Sequence, residues 1–137
     1  MQTDSSFMHS FPNTPPSTVG DDSPDGKCVR AHFQGKDRED VDYSWGVLIE
    51  DLMHMEHDAF LYFFPAFLRH SVSKPDDEYS ASLLSALSCH LSGPRIKRIR
   101  FSPAQAHVVR NWLTWLSETF ADDEYIVALV RKYSQRI

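Results

Sequence analysis

The sequence predicts an all-α fold: a compact bundle of five to six helices, with a kinked phenylalanine-rich helix at Pro65 and a disordered N-terminal tail. Three observations lead there. Beyond residue 26, apolar residues recur at i, i+3, i+4 and i+7 in one stretch after another, the spacing of a single helix face. Helix-starting and helix-stopping residues punctuate those stretches, as in Pro75-Asp76-Asp77, Gly93-Pro94 and Ser102-Pro103. No strand-like alternation persists; Ile96, Ile99 and Phe101 make too short a run to count. Leu, Ile, Val and Phe make 34 of 137 residues, a share above the roughly one-fifth below which chains stay disordered. The length is that of one domain.

Residues 1–26 hold half of the eight prolines (Pro12, Pro15, Pro16, Pro24) among Ser, Thr, Asp and Gly. Such a segment buries too little apolar surface to offset its ordering entropy, so it reads as a flexible tail, with residues 27–137 as the single helical domain. Phe7, Met8 and Phe11 are its exceptions, able to dock on a partner or on the domain itself. Lys27 to Phe33 forms a short helix with Cys28, Ala31 and Phe33 on one side, ended by Gly35. Trp45, Leu48, Ile49, Leu52 and Met53 then mark one wide helical face.

Asp58 is the expected N-cap of the next helix, whose face is Phe60, Phe63, Phe64, Phe67 and Leu68. Pro65 lacks the amide that would bond to Leu61, so a kink or two abutting short helices are expected there. After the Lys74-Pro75-Asp76-Asp77 turn, Tyr79, Leu83, Leu84, Leu87 and Leu91 make a core face, with Ser80, Ser82, Ser85, Ser88 and Ser92 on much of the other side. Ser102-Pro103-Ala104-Gln105 is a capping-box start with proline at the first helical position. The helix it opens carries Val108, Val109, Trp112, Leu113, Trp115, Leu116 and Phe120. Asp122-Asp123-Glu124 places acids at the favourable end of a last helix, with Ile126, Leu129, Val130 and Tyr133 inward.

Several function classes find no support in the residues. Glu50, Asp51, Glu56, Asp58, Arg69 and Lys74 interrupt the most apolar stretch, so no membrane span is expected. The start of the chain lacks the basic and apolar regions of a secretory signal, and Cys28 and Cys89 lie 61 positions apart. A cytoplasmic protein with two reduced, packed thiols is the expectation. No nucleophile elbow and no glycine-rich phosphate loop occurs among the five glycines. Neither a catalytic nor a cofactor-binding nor a metal-ligating residue is therefore assigned.

Two alternatives stay open. His54, Glu56 and His57 could ligate a metal in a small metal-dependent enzyme, although the zincin spacing is different. Arg95, Lys97, Arg98 and Arg100 could touch nucleic-acid phosphates, although four bases on a chain of net charge -5 make a weak footprint.

Charge segregation points elsewhere. Residues 37–58 hold eight acids against one base, Arg38. Within that band Asp37, Glu39, Asp40, Asp42, Glu50 and Asp51 flank two aromatics, Tyr43 and Trp45, and aromatics among charges are typical interface anchors. A small acidic helical domain can cover a basic active site by electrostatic complementarity. The expected function is a non-enzymatic interaction module, an immunity-type or inhibitor protein for a basic bacterial toxin or effector.

The run Asp58-Ala59-Phe60 through Phe63-Phe64-Pro65-Ala66-Phe67-Leu68 resembles a segment shared by a family of small uncharacterised bacterial helical proteins. The likeness continues through Lys74-Pro75-Asp76-Asp77, Ser82-Leu83-Leu84 and Leu87. It then takes in Phe101-Ser102-Pro103-Ala104-Gln105, Val109, Trp112, Leu113 and Leu116, and covers about residues 56–120. It implies a helical fold and a bacterial origin. It carries no activity, and the acidic N-terminal part departs from it.

Overall fold

Side-chain caps set four of the six α-helix starts among the described residues. The structure, a computed structural model, describes residues 5–92 and 98–137, and side chains from residue 8 on. Its helices are α1 (Pro24–Phe33), α2 (Val47–Met53), α3 (His57–Ser73), α4 (Asp77–Leu91), α5 (Pro103–Thr119) and α6 (Glu124–Ser134), with short 3₁₀ turns at Ser5–Ser10 and Arg38–Asp40. No strand occurs among the described residues. The Gly93-Pro94 stop and the connector residues Arg95, Ile96 and Lys97 lie outside the described residues, as does the Phe7 side chain.

The expected capping box opens α5: Ser102 Oγ accepts from the Gln105 amide at 3.2 Å, and Gln105 Oε1 accepts from the Ser102 amide at 2.9 Å. Asp76 caps α4 through the Tyr79 amide at 2.8 Å, and Asp123 caps α6 through the Ile126 amide at 3.1 Å. Removing the first of these tests the arrangement. Ser102→Ala should lower stability by about 1 kcal/mol, read from the urea midpoint.

The start of α3 differs from expectation. Its N-cap is Glu56, without a side-chain cap bond, and Asp58 falls in the first turn instead. The Glu56 amide donates to the Val19 carbonyl at 3.0 Å while the Phe60 amide bonds to Glu56 at 2.9 Å, so a tertiary contact sets the boundary. Pro65 does not split α3, which runs through it as one element. An interior proline costs about 3 kcal/mol. Phe60, Phe63, Phe64 and Phe67 are all fully buried, and each contributes about 2 kcal/mol, so burial outweighs the lost hydrogen bond.

That burial makes α3 the centre of the core. Phe33 of α1 meets Phe63 edge-on at 4.8 Å, and Trp112 of α5 meets Phe64 edge-on at 6.0 Å. The Trp112 indole N–H donates to Ser71 Oγ at 2.9 Å, and Ser71 donates in turn to the Leu68 carbonyl at 2.8 Å. Around this centre α2 packs on α4, α5 on α6, and α1 on α2.

Several faces depart from the periodicity. On α1 the buried residues are Val29 and Phe33, with Gly26, while Cys28 and Ala31 are exposed. The helix begins three residues earlier than expected, at Pro24, and Val29 and Phe33 at i, i+4 define its inward stripe. Both cysteines are free and exposed rather than packed. Ser80, expected on the outer side of α4, is fully buried. Trp45 leaves the apolar face because α2 starts only at Val47, and half of its surface is exposed.

The segment before α1 rests on the domain where it is described. Met8, Phe11 and Val19 are buried. The Val19 amide donates to Gln34 Oε1 at 3.3 Å, and Gln34 Nε2 donates to the Ser17 carbonyl at 2.8 Å. Gly20 permits the crossing: a Cβ there would come within 2.5 Å of the Gly26 carbonyl oxygen.

Candidate functional site

The acidic band divides into an exposed rim and an inward-turned part. Asp37, Glu39, Asp40, Asp42 and Glu50 are exposed. Asp42 accepts from the Ser44 amide at 3.0 Å and from the Ser44 hydroxyl at 2.5 Å, which holds its carboxyl below the usual carboxylate value. This closed turn precedes α2 and leaves Trp45 outside the helix.

Tyr43 is half-buried and committed to the interior. Its hydroxyl donates to the Arg38 carbonyl at 2.7 Å, its ring meets Phe67 edge-on at 4.8 Å, and its carbonyl accepts from Tyr79 Oη at 2.8 Å. Burial, foremost, pushes the Tyr43 phenol far above its usual value. Arg38, the single base of the band, is also buried. Its amide donates to Tyr62 Oη at 3.1 Å, and its guanidinium lies 4.6 Å from the centre of the Tyr62 ring. With Arg38 turned inward, every exposed charged side chain of the band among Asp, Glu, Lys and Arg is acidic.

Asp51 likewise is no free surface carboxylate. It is buried and paired with His32 Nδ1 of α1. The carboxylate accepts, so the hydrogen sits on Nδ1 and the opposite ring edge carries Nε2. The His32 ring meets Trp45 edge-on at 5.3 Å. The result is a relay of position: buried Asp51 orients His32, and His32 braces an indole that is 50% exposed. Val47, 45% exposed, shares the outer face of α2 with Glu50. Of the two predicted aromatic anchors, the structure leaves Trp45 available and turns Tyr43 inward. Pairing of His32 with Asp51 left no local sequence signal, because 19 positions separate them.

His54, Glu56 and His57 do not come together as a ligand set. The chain leaves α2 at Met53 and enters α3 at His57, so the two histidines never share a helix face. His54 caps α2, with Nδ1 3.9 Å from Asp25. His57 reaches instead to His90 of α4, Nδ1 to Nδ1 at 2.9 Å. Among the described residues no group of three or more His, Cys, Asp or Glu side chains could hold a metal.

His90, next to Cys89 in the chain, is a buried polar residue. Its Nε2 donates to the Leu52 carbonyl at 2.8 Å, and its ring lies 4.0 Å from Phe60. The carbonyl accepts only, so neutral His90 carries its hydrogen on Nε2 and receives one at Nδ1 from His57. Burial, first, lowers the His90 pKa to about 4; the Leu52 bond opposes this, and His57 and His54 add to it. The sequence carries a signal of this burial, because His90 stands three residues after Leu87 and seven after Leu83, on the apolar stripe of α4.

No helix of the described residues is long and apolar enough to cross a membrane. No protein-family model matches the chain, and no curated protein or solved structure matches it.

Proposed function

We propose that the chain is a non-enzymatic interaction module, an immunity-type or inhibitor protein that binds a basic bacterial toxin or effector in the cytoplasm. One observation carries it: Trp45 stands half exposed in a stretch of chain whose carboxylates Asp37, Glu39, Asp40, Asp42 and Glu50 are all exposed, as is Val47 two residues on. A large exposed indole is the commonest kind of binding hot spot, and surrounding charge speeds and selects the encounter. Bracing by His32 lowers the ordering cost of the indole on binding. Resemblance to small bacterial helical proteins over residues 56–120 fits a bacterial source and adds no activity.

The experiment is co-purification from the source organism, followed by calorimetry on the partner so found. Trp45→Ala should weaken binding by about 2 kcal/mol, roughly thirtyfold. Changing Asp37, Glu39, Asp40 and Asp42 to their amides should slow association and flatten its salt dependence. A partner whose binding ignores both changes, or no stable partner at all, ends this reading.

A further inference from the structure

A second surface lies in the basic C-terminal part of the chain. Residues 1–90 carry 15 acids and 6 bases, a net of -9, and residues 91–137 carry 4 acids and 8 bases, a net of +4. Within the second part, an open groove of about 500 Å³ runs between the end of α4, the first half of α5 and the end of α6. Leu91, Ile99 and Phe101 form an apolar floor, and Arg100, Arg110 and Arg136 stand around it with no acidic residue in the lining. The Ile99 amide donates to the His90 carbonyl at 2.9 Å, which fixes the floor to α4.

All three arginines are exposed, and among the described residues none pairs with an Asp or Glu side chain. Arg110 is steadied by a 3.2 Å bond from Nη2 to the Ile137 carbonyl oxygen. Pro103 at the start of α5 also lines the groove, so the positive end of that helix dipole faces the same region. Guanidinium groups favour carboxylates, and an apolar floor between them favours an apolar side chain.

We infer that this groove binds an acidic segment of a partner protein, seating an apolar side chain on Leu91, Ile99 and Phe101 and pairing flanking carboxylates with Arg100, Arg110 and Arg136. Two other occupants fit less well. Small-molecule sites hold a few placed, buried polar groups, and the buried unpaired polar atoms among the described residues, on Arg38 and Ser80, lie outside this lining. Single-stranded nucleic acid needs successive aromatic platforms, and Phe101 is the lone aromatic in the lining. This site is separate from the Trp45 surface, so Trp45→Ala should leave it intact.

The test uses the full chain and a fluorescein-labelled peptide of alternating glutamate and leucine, followed by anisotropy. The Arg100→Glu/Arg136→Glu double variant changes two exposed side chains, and an unchanged circular dichroism spectrum and thermal midpoint establish that it folds. Arg100→Gln/Arg136→Gln serves as a milder second pair. Peptide affinity should fall about tenfold or more in the first pair, by less in the second, and a glutamate–serine peptide should bind far more weakly than glutamate–leucine. Equal binding by both peptides, by both variants, or by an oligodeoxynucleotide of equal charge overturns the inference. So does a lack of binding up to about 1 mM protein. Concentration-dependent self-association that the charge reversals abolish overturns it too, since the occupant would then be the acidic band of a second copy.

Discussion

Replacing Trp112 by alanine should remove about 4 kcal/mol of stability, the range for emptying a buried aromatic site. The indole is fully buried, lies edge-on to Phe64, and donates to Ser71 across 41 residues of chain. A domain of this size has about 5–15 kcal/mol in total, so the variant will be close to unfolding at moderate temperature. Ser71 is not the reason for the cost, because its hydroxyl keeps its own bond to the Leu68 carbonyl. The loss comes from the cavity between α3 and α5. Trp112→Phe refills most of that space and should cost only about 1–2 kcal/mol, mainly through the lost N–H bond. Urea unfolding followed by far-UV circular dichroism compares the two. Equal, small losses in both would show that Trp112 does not hold these helices together.

The second large effect is a loss of stability in mild acid, traced to His90. In the folded chain its pKa is about 4, against 6.5 for the unperturbed group. Between those values the unfolded chain binds the extra proton, so stability falls as pH falls. His90's contribution is fully present above pH 6.5, declines through the window, and is lost once pH passes 4. The gap between the two values corresponds to about 3 kcal/mol. His70, lowered first by desolvation, acts in the same direction. Asp21 and Asp42, held below 3.8 chiefly by Ser23 and Ser44, contribute only at lower pH, where protonating them costs stability. His90→Gln retains an amide donor for the Leu52 carbonyl and cannot titrate. Unfolding free energies at pH 7 and pH 4.5 should differ by far less in this variant than in the parent chain. A parallel decline in both would assign the acid sensitivity to other groups.

Both experiments probe what local pattern conveyed only in part. In the three longest helices, faces set by apolar residues at helical spacing were legible: Phe60, Phe63, Phe64 and Phe67 in α3, Leu83, Leu84 and Leu87 in α4, and Trp112, Leu113 and Leu116 in α5 are all buried. Cap residues were legible for the same local reason, as Ser102 and Gln105 show. Legibility failed where a boundary or a partner came from elsewhere in the chain. The bond from Glu56 to Val19 moved the start of α3, and the closed turn at Asp42 kept Trp45 out of α2. On the candidate surface the composition identified a dense acidic band, but not that Tyr43, Arg38 and Asp51 would turn inward while Trp45 stayed out.

By itself, then, the sequence determined that this chain is helical, where most of its helices lie, which stripes are apolar, and that its charge is polarised along its length. Those properties depend on neighbours three or four residues away, whose geometry a helix makes regular. Tertiary structure alone decided the pairing of His32 with Asp51, the burial of His90 against Leu52 and His57, and the gathering of Arg100, Arg110 and Arg136 around one groove. Each joins residues from separate elements, and the free energy that holds them comes from packing the helices together rather than from any one segment.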